Sequence, residues 1–138
     1  MKKRRGKSFV ALMIAIAVCA LGLRIALTQL LRINISQNES NALGTLKLIS
    51  AALENYARDK EGSFPNEFSL LAKSKPAYLD RDYILASPLK GYNYTCSRLE
   101  PAGYSCSASP AKCGLTGKTV YTVTTAGLVV SEECNKKE

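Results

Sequence analysis

The feature that most constrains this chain is a run of apolar residues close to its start. Phe9 to Leu23 contains no charge, Arg24 interrupts it, and Ile25 to Leu31 continue with only Thr28 and Gln29 as polar members. The 24 residues from Ser8 to Leu31 form a helix about 36 Å long. That exceeds a bilayer hydrocarbon core of roughly 30 Å. The rest of a 138-residue chain is too small to wrap so long an apolar helix, so a buried core helix is a poor reading. A transmembrane helix over residues 8–31 is the better one. Arg24 falls about 24 Å from Ser8, near the far interface, where its long stem can carry the guanidinium to the headgroups.

Charge fixes the expected orientation. Lys2, Lys3, Arg4, Arg5 and Lys7 precede the run, five of the chain's 19 basic side chains. Residues 1–7 therefore read as a basic cytoplasmic leader, with everything beyond the span on the other side of the membrane. Without them, 14 basic residues face 11 acidic ones, a net of +3 from a formal +8. Most of the excess is one terminal cluster rather than a basic stripe spread over a folded face, so no nucleic-acid partner is expected. A cleaved secretory signal has similar charged and apolar regions, but Ala17-Val18-Cys19 and Cys19-Ala20-Leu21 make poor cleavage sites. Cys19 invites thought of lipid attachment, yet Val18 is the wrong size for that processing.

The chain has no histidine and no tryptophan. Ser-His-Asp and Cys-His nucleophiles are excluded, as are His-ligated metals. No pair of Lys, Tyr, Asp or Glu is singled out by spacing. The chain is read as having no catalytic residues, no cofactor and no enzymatic activity. Asp80, Asp82, Glu132 and Glu133 are the carboxylates available for calcium, but none belongs to a ligand ladder, and a solvated face is the simpler reading.

Beyond the span, Ala42, Leu46, Ile49, Leu53 and Tyr56 recur at three- and four-residue steps, an amphipathic stripe within residues 32–61. Lys47, Glu54 and Arg58 lie off it. Asn34 to Ser40 is polar and is expected to bend or fray the helix. Gly62 supplies a stop, followed by Pro65. Residues 62–138 read as a small β-rich domain. Phe68 to Ala72 forms a helical turn. Gly91 to Cys96 and Gly103 to Ala108 alternate with period two and pair as a hairpin around Pro101-Ala102. Thr119 to Thr124 and Leu128 to Val130 form a second pair around Ala126-Gly127.

Four cysteines, Cys96, Cys106, Cys113 and Cys134, lie in this exported part and favour two disulfides, for which three pairings exist. The hairpins favour Cys96 with Cys106 and Cys113 with Cys134. A zinc site from four thiolates is the alternative. Their spacings of 9, 6 and 20 intervening residues contain no C-x-x-C knuckle.

The stretch Gly6-Lys7-Ser8-Phe9-Val10-Ala11-Leu12-Met13-Ile14-Ala15-Ile16-Ala17 resembles the N-terminal signature of type IV pilins and type II secretion pseudopilins. In that signature a basic leader ends in glycine at the cut site, followed by a pattern like F-T-L-I-E-L-M-I-V-I-A. Gly6 matches the glycine, and Leu12, Met13, Ile14, Ile16 and Ala17 match apolar positions. Lys7 stands where the family usually has Phe, and Ala11 where it usually has Glu. In the family that Glu pairs with the free amine of a neighbouring subunit, a device Ala11 lacks. Asn55-Tyr56 followed by Gly62-Ser63-Phe64-Pro65 resembles the pseudopilin passage from helix to domain. Gly91-Tyr92, Gly103-Tyr104, Pro110, Gly117 to Tyr121 and Gly127 to Val129 follow a similar order in the domain. The Cys113–Cys134 pair would correspond to the disulfide-bounded C-terminal loop of many pilins.

The resemblance implies an α+β, pilin-like fold, with one long N-terminal helix packed on a small antiparallel sheet. It also implies a filament subunit of a type IV pilus, type II secretion or competence-type machine. Gly6 and Lys7 would be the processing site, and Ala11, Leu12, Ile14 and Ile16 the assembly helix. The expected partners are the membrane, other pilin-like subunits, a prepilin peptidase and an assembly platform. The expected location is the bacterial inner membrane, with the domain periplasmic or carried into an extracellular filament. The rival reading is a single-pass anchored periplasmic binding module that does not polymerise.

Overall fold

The computed structural model describes residues 5–135, with side chains from Ser8 onward. Of the basic leader, Met1 to Arg4 lie outside the described residues. Gly6 and Lys7 belong to the first turn of α1 (Arg5–Asp59), a helix of 55 residues. No proline occurs before Pro65, and the N-terminal half of α1 is rich in Ala, Leu and Ile, so nothing in the sequence breaks it. The chain divides into two units at Asn34/Ile35. In the first unit the described side chains from Ser8 to Asn34 are exposed all round the helix.

The second unit starts with the rest of α1. It continues through α2 (Ser69–Lys73), β1 (Tyr92–Glu100), β2 (Gly103–Pro110), β3 (Thr119–Thr124), a 3₁₀ turn (Thr125–Gly127) and β4 (Leu128–Glu133). The four strands form one antiparallel meander in chain order. Strands β1 and β4 run further than their alternation alone predicts, to Glu100 and Glu133, because the ladder continues through polar residues on the solvent face.

One face of the sheet supplies Tyr92, Tyr94, Tyr104, Cys106, Ala108 and Val123 to the core. Residues at i, i+2 and i+4 line one face of a strand, which places Tyr104, Cys106 and Ala108 together. The helix meets them with Ala42, Leu46, Ile49 and Leu53, all at most 1% exposed. Tyr56, at the end of the expected stripe, is only half-buried and stacks edge-on with Tyr78. Phe64 packs edge-on against Tyr104 at 5.1 Å, and Tyr83 against Tyr94 at 6.3 Å. Such pairs add to the area they bury.

Two local expectations change. Asn34 to Ser40 does not fray; it is helical throughout. Two of its polar side chains are tied to the domain, Asn38 donating to the Thr116 carbonyl at 2.9 Å and Glu39 accepting from the Lys118 N–H at 2.8 Å. The helix also ends at Asp59 rather than 61. The Gly62 N–H closes on the Ala57 carbonyl at 2.7 Å, the longer bond of a Schellman cap. In that cap the left-handed position just before Gly62 is filled by Glu61, at φ +56°.

Candidate membrane and assembly helix

From Phe9 to Leu23 the helix of the first unit is apolar over its whole circumference. At about 100° per residue, Leu12 and Ile16 share one side of the helix and Ala11 and Ile14 another, so the four form no single stripe. All are exposed, Leu12 at 57%, Ile14 at 59% and Ile16 at 57%. Phe9, Val10, Val18, Leu21, Leu23, Ile25 and Leu27 are exposed to a similar degree. Such a surface suits an apolar surround or a bundle of like helices, since soluble monomers rarely show so much contiguous apolar area. This is the one helix among the described residues long and apolar enough to cross a membrane.

One of its few polar groups is satisfied locally. The Thr28 hydroxyl donates to the Arg24 carbonyl at 2.9 Å, removing an otherwise unpaired donor from apolar surroundings. Cys19 is a free, exposed thiol on the same helix.

The expected disulfide residues all lie in the second unit. Cys96 and Cys106 face each other directly across β1 and β2 and are bonded. Ser97 is left over as a bulge beside them, since the register resumes at Arg98 opposite Ser105. Cys113 is bonded to Cys134 with Cα atoms 5.9 Å apart, tying residues 113–118 to the end of β4. With all four thiols in disulfides, no thiolate set remains for zinc.

The carboxylates considered for calcium are dispersed into local roles. Asp80 accepts from Tyr83 at 2.8 Å and from Arg81 at 2.9 Å, and these bonds hold its pKa below the usual carboxylate range. Asp82 accepts from the backbone N–H groups of Ile84 and Leu85. Glu132 and Glu133 lie on β4. Among the described residues no three His, Cys, Asp or Glu are arranged to hold a metal ion.

A buried polar cluster was missed by the sequence reading. Tyr104, 1% exposed, donates its hydroxyl to the Glu54 carboxylate at 2.9 Å. Its oxygen lies 2.9 Å from the Ser50 hydroxyl, which must therefore be the donor of that second bond. The same Glu54 oxygen accepts from the Ala126 N–H at 2.8 Å. Burial pushes the Tyr104 pKa up to about 12. The cluster fixes the β3–β4 turn to the helix. Ser50, a polar residue beside Ile49 on a buried face, was the one visible sign of it.

No protein-family model and no curated protein matches the chain. Among solved structures, the chain is similar to PilV, a non-core minor pilin of Neisseria meningitidis, with a TM-score of 0.51 and 19% identity. The match covers 78% of this chain and 94% of that one. At that identity the likeness is one of architecture, and it makes this a pilin-like α+β fold: a long N-terminal helix packed on a four-stranded antiparallel sheet.

Proposed function

We propose that the chain is a pilin-type structural subunit, held in a membrane by residues 8–31 of α1 and assembled helix against helix with other pilin-like subunits. The observation that carries this reading is the all-round apolar surface from Phe9 to Leu23, continued by Ile25, Leu27, Leu30 and Leu31, leading into a domain of pilin-like fold. A helix of that kind suits both states. In the bilayer, lipid covers it; in a filament, neighbouring helices do. The resembling protein is a minor pilin, so a low-copy position in a filament is the form we favour. The basic leader then faces the cytoplasm of a bacterial inner membrane, a prepilin peptidase cuts between Gly6 and Lys7, and an assembly platform receives the mature chain.

A second reading has its own support. Ala11 stands where the family pattern has Glu, and without that carboxylate the usual membrane charge pair cannot form. A permanently anchored module meeting a periplasmic partner would need no such pair. The mature N-terminus, determined by intact-mass and peptide mass spectrometry of protein from native membranes, separates the two. A chain beginning at Lys7 supports the filament subunit. A chain retaining its leader, in a host with active prepilin peptidase, sinks that reading in favour of the anchored module.

A further inference from the structure

Arg24 and Arg32 are the two charges between Ser8 and Asn38, and their placement on the helix is not arbitrary. Eight residues separate them by about 12 Å of rise and about 80° of rotation, with Thr28 midway on both counts. The two arginines line one shallow groove with Ile25, Thr28 and Gln29. Every Cα–Cβ bond leans toward the helix N-terminus, so the Arg32 side chain is biased back over Thr28 and Gln29. The Arg24 stem is long enough to bend the opposite way, toward water. Two guanidinium groups thus have access to one point beside Thr28.

That point has a definite depth. Counted from Ser8, Thr28 lies about 30 Å along the helix, where a hydrocarbon core of that thickness ends. Arg24 sits one turn inside the boundary and Arg32 one turn outside. Among the described residues the ion pairs are formed by Arg81 and Arg98, and neither Arg24 nor Arg32 meets a carboxylate. A second copy packed in register offers no remedy, because residues 1–38 contain no Asp or Glu, and the first carboxylate along α1, Glu39, already accepts from the Lys118 N–H at 2.8 Å. The anion present at that depth in every bilayer is the phosphate of a lipid headgroup. Arginine's planar fork matches phosphate oxygens in pairs, and the Gln29 amide adds a donor.

We propose that Arg24 and Arg32, with Gln29 between them, hold the phosphate of one phospholipid in the leaflet opposite the basic leader. The inference rests on the reading of residues 8–31 as a membrane span. The test is native mass spectrometry of the full chain, released from detergent micelles doped with phosphatidylglycerol. The wild-type chain is expected to retain one lipid. Arg24→Gln and Arg32→Gln should each lower retention at least fivefold, and the double variant should reach background. Arg24→Lys should fall between, since it keeps the charge and loses the fork. Arg58→Gln should leave retention unchanged. Circular dichroism and intact disulfides verify that each variant is folded.

Full retention by the double variant overturns the proposal. So does displacement of the lipid by an equal concentration of inorganic phosphate, which would make the site one for free anions. Unchanged retention with loss of Cys19–Cys19 cross-linking would also overturn it, by assigning the arginines to helix pairing. Carbonate extraction of native membranes is read separately. Release of the wild-type chain would sink the membrane span itself, whereas an integral chain with arginine-independent retention sinks this inference alone.

Discussion

The Tyr104 hydroxyl donates to the Glu54 carboxylate 2.9 Å away, although 50 positions separate the two residues. This bond joins the second strand to the helix, and the Ser50 hydroxyl and the Ala126 N–H complete it. Tyr104→Phe keeps the ring against Phe64 but leaves a buried serine and a half-buried carboxylate each short of a partner. A loss of about 1–3 kcal/mol is expected, read from urea denaturation of the full chain in detergent. The same tyrosine sets an alkaline dependence. Its pKa is about 12 when folded against 10.0 as the ordinary value. The unfolded chain therefore loses this proton first as pH rises. Stability attached to Tyr104 is complete below pH 10 and is lost as pH climbs toward 12. Tyr104→Phe should make that decline shallower. A slope identical to wild type would contradict the assignment.

Gly117 lies where a side chain cannot fit. A Cβ there would collide with the Tyr92 hydroxyl and with ring carbons of the same residue. Tyr92 is fully buried and donates to the Thr119 carbonyl at 2.8 Å, so it cannot swing aside without losing that bond. Gly117→Ala is expected to cost about 1–3 kcal/mol through overpacking. Combined with Tyr92→Phe, it should cost less than the two single changes added together, because the missing hydroxyl relieves part of the collision.

At the end of α1 the opposite change should help. Glu61 holds φ +56° at a position that suits glycine, and its side chain is exposed. Glu61→Gly is expected to raise stability by a few tenths to about 1 kcal/mol, since the left-handed conformation costs glycine little. A thermal midpoint at or below that of wild type would show that the entropy of the added glycine outweighs the relieved backbone.

The two disulfides close loops of different length, spanning 10 and 21 residues. In the chain-entropy picture, Cys113→Ser with Cys134→Ser should cost about 3.3 kcal/mol and Cys96→Ser with Cys106→Ser about 2.7. The shorter bridge is also buried at Cys106, so serine there adds an unpaired hydroxyl to the core. The net ranking therefore reverses if packing dominates over chain entropy. Denaturant midpoints of the two double variants decide which.

Much of this architecture was legible because its signals are local. The stripe from Ala42 to Leu53 repeats within a few residues, and the alternation of Tyr92, Tyr94, Tyr104 and Cys106 marks one sheet face. The apolar segment needs only composition to be seen, although the sequence leaves open what covers it. What stayed hidden was the pairing of polar residues across long separations. Asn38 with Thr116, Glu39 with Lys118 and Glu54 with Tyr104 are brought together by the packing of helix on sheet. No period in the chain encodes which partner each will meet. The sequence marks Asn34 to Ser40 as a weak point of the helix because polar residues are easily read as surface. The partners of Asn38 and Glu39 lie some 80 positions away.

The Cys113–Cys134 bridge has a mechanical meaning for a domain pulled by its helix. The segment 113–118 is bonded to the helix at Asn38 and Glu39, and through the bridge and the Cys134 N–H to the end of β4. Tension entering the domain at residue 35 therefore reaches these bonds within its first turns, and passes across a covalent link into the last strand. The first and final stretches of the domain share the strain together. The meander is then not unzipped strand by strand from one free end, and its resistance to pulling should fall sharply in a reducing solution.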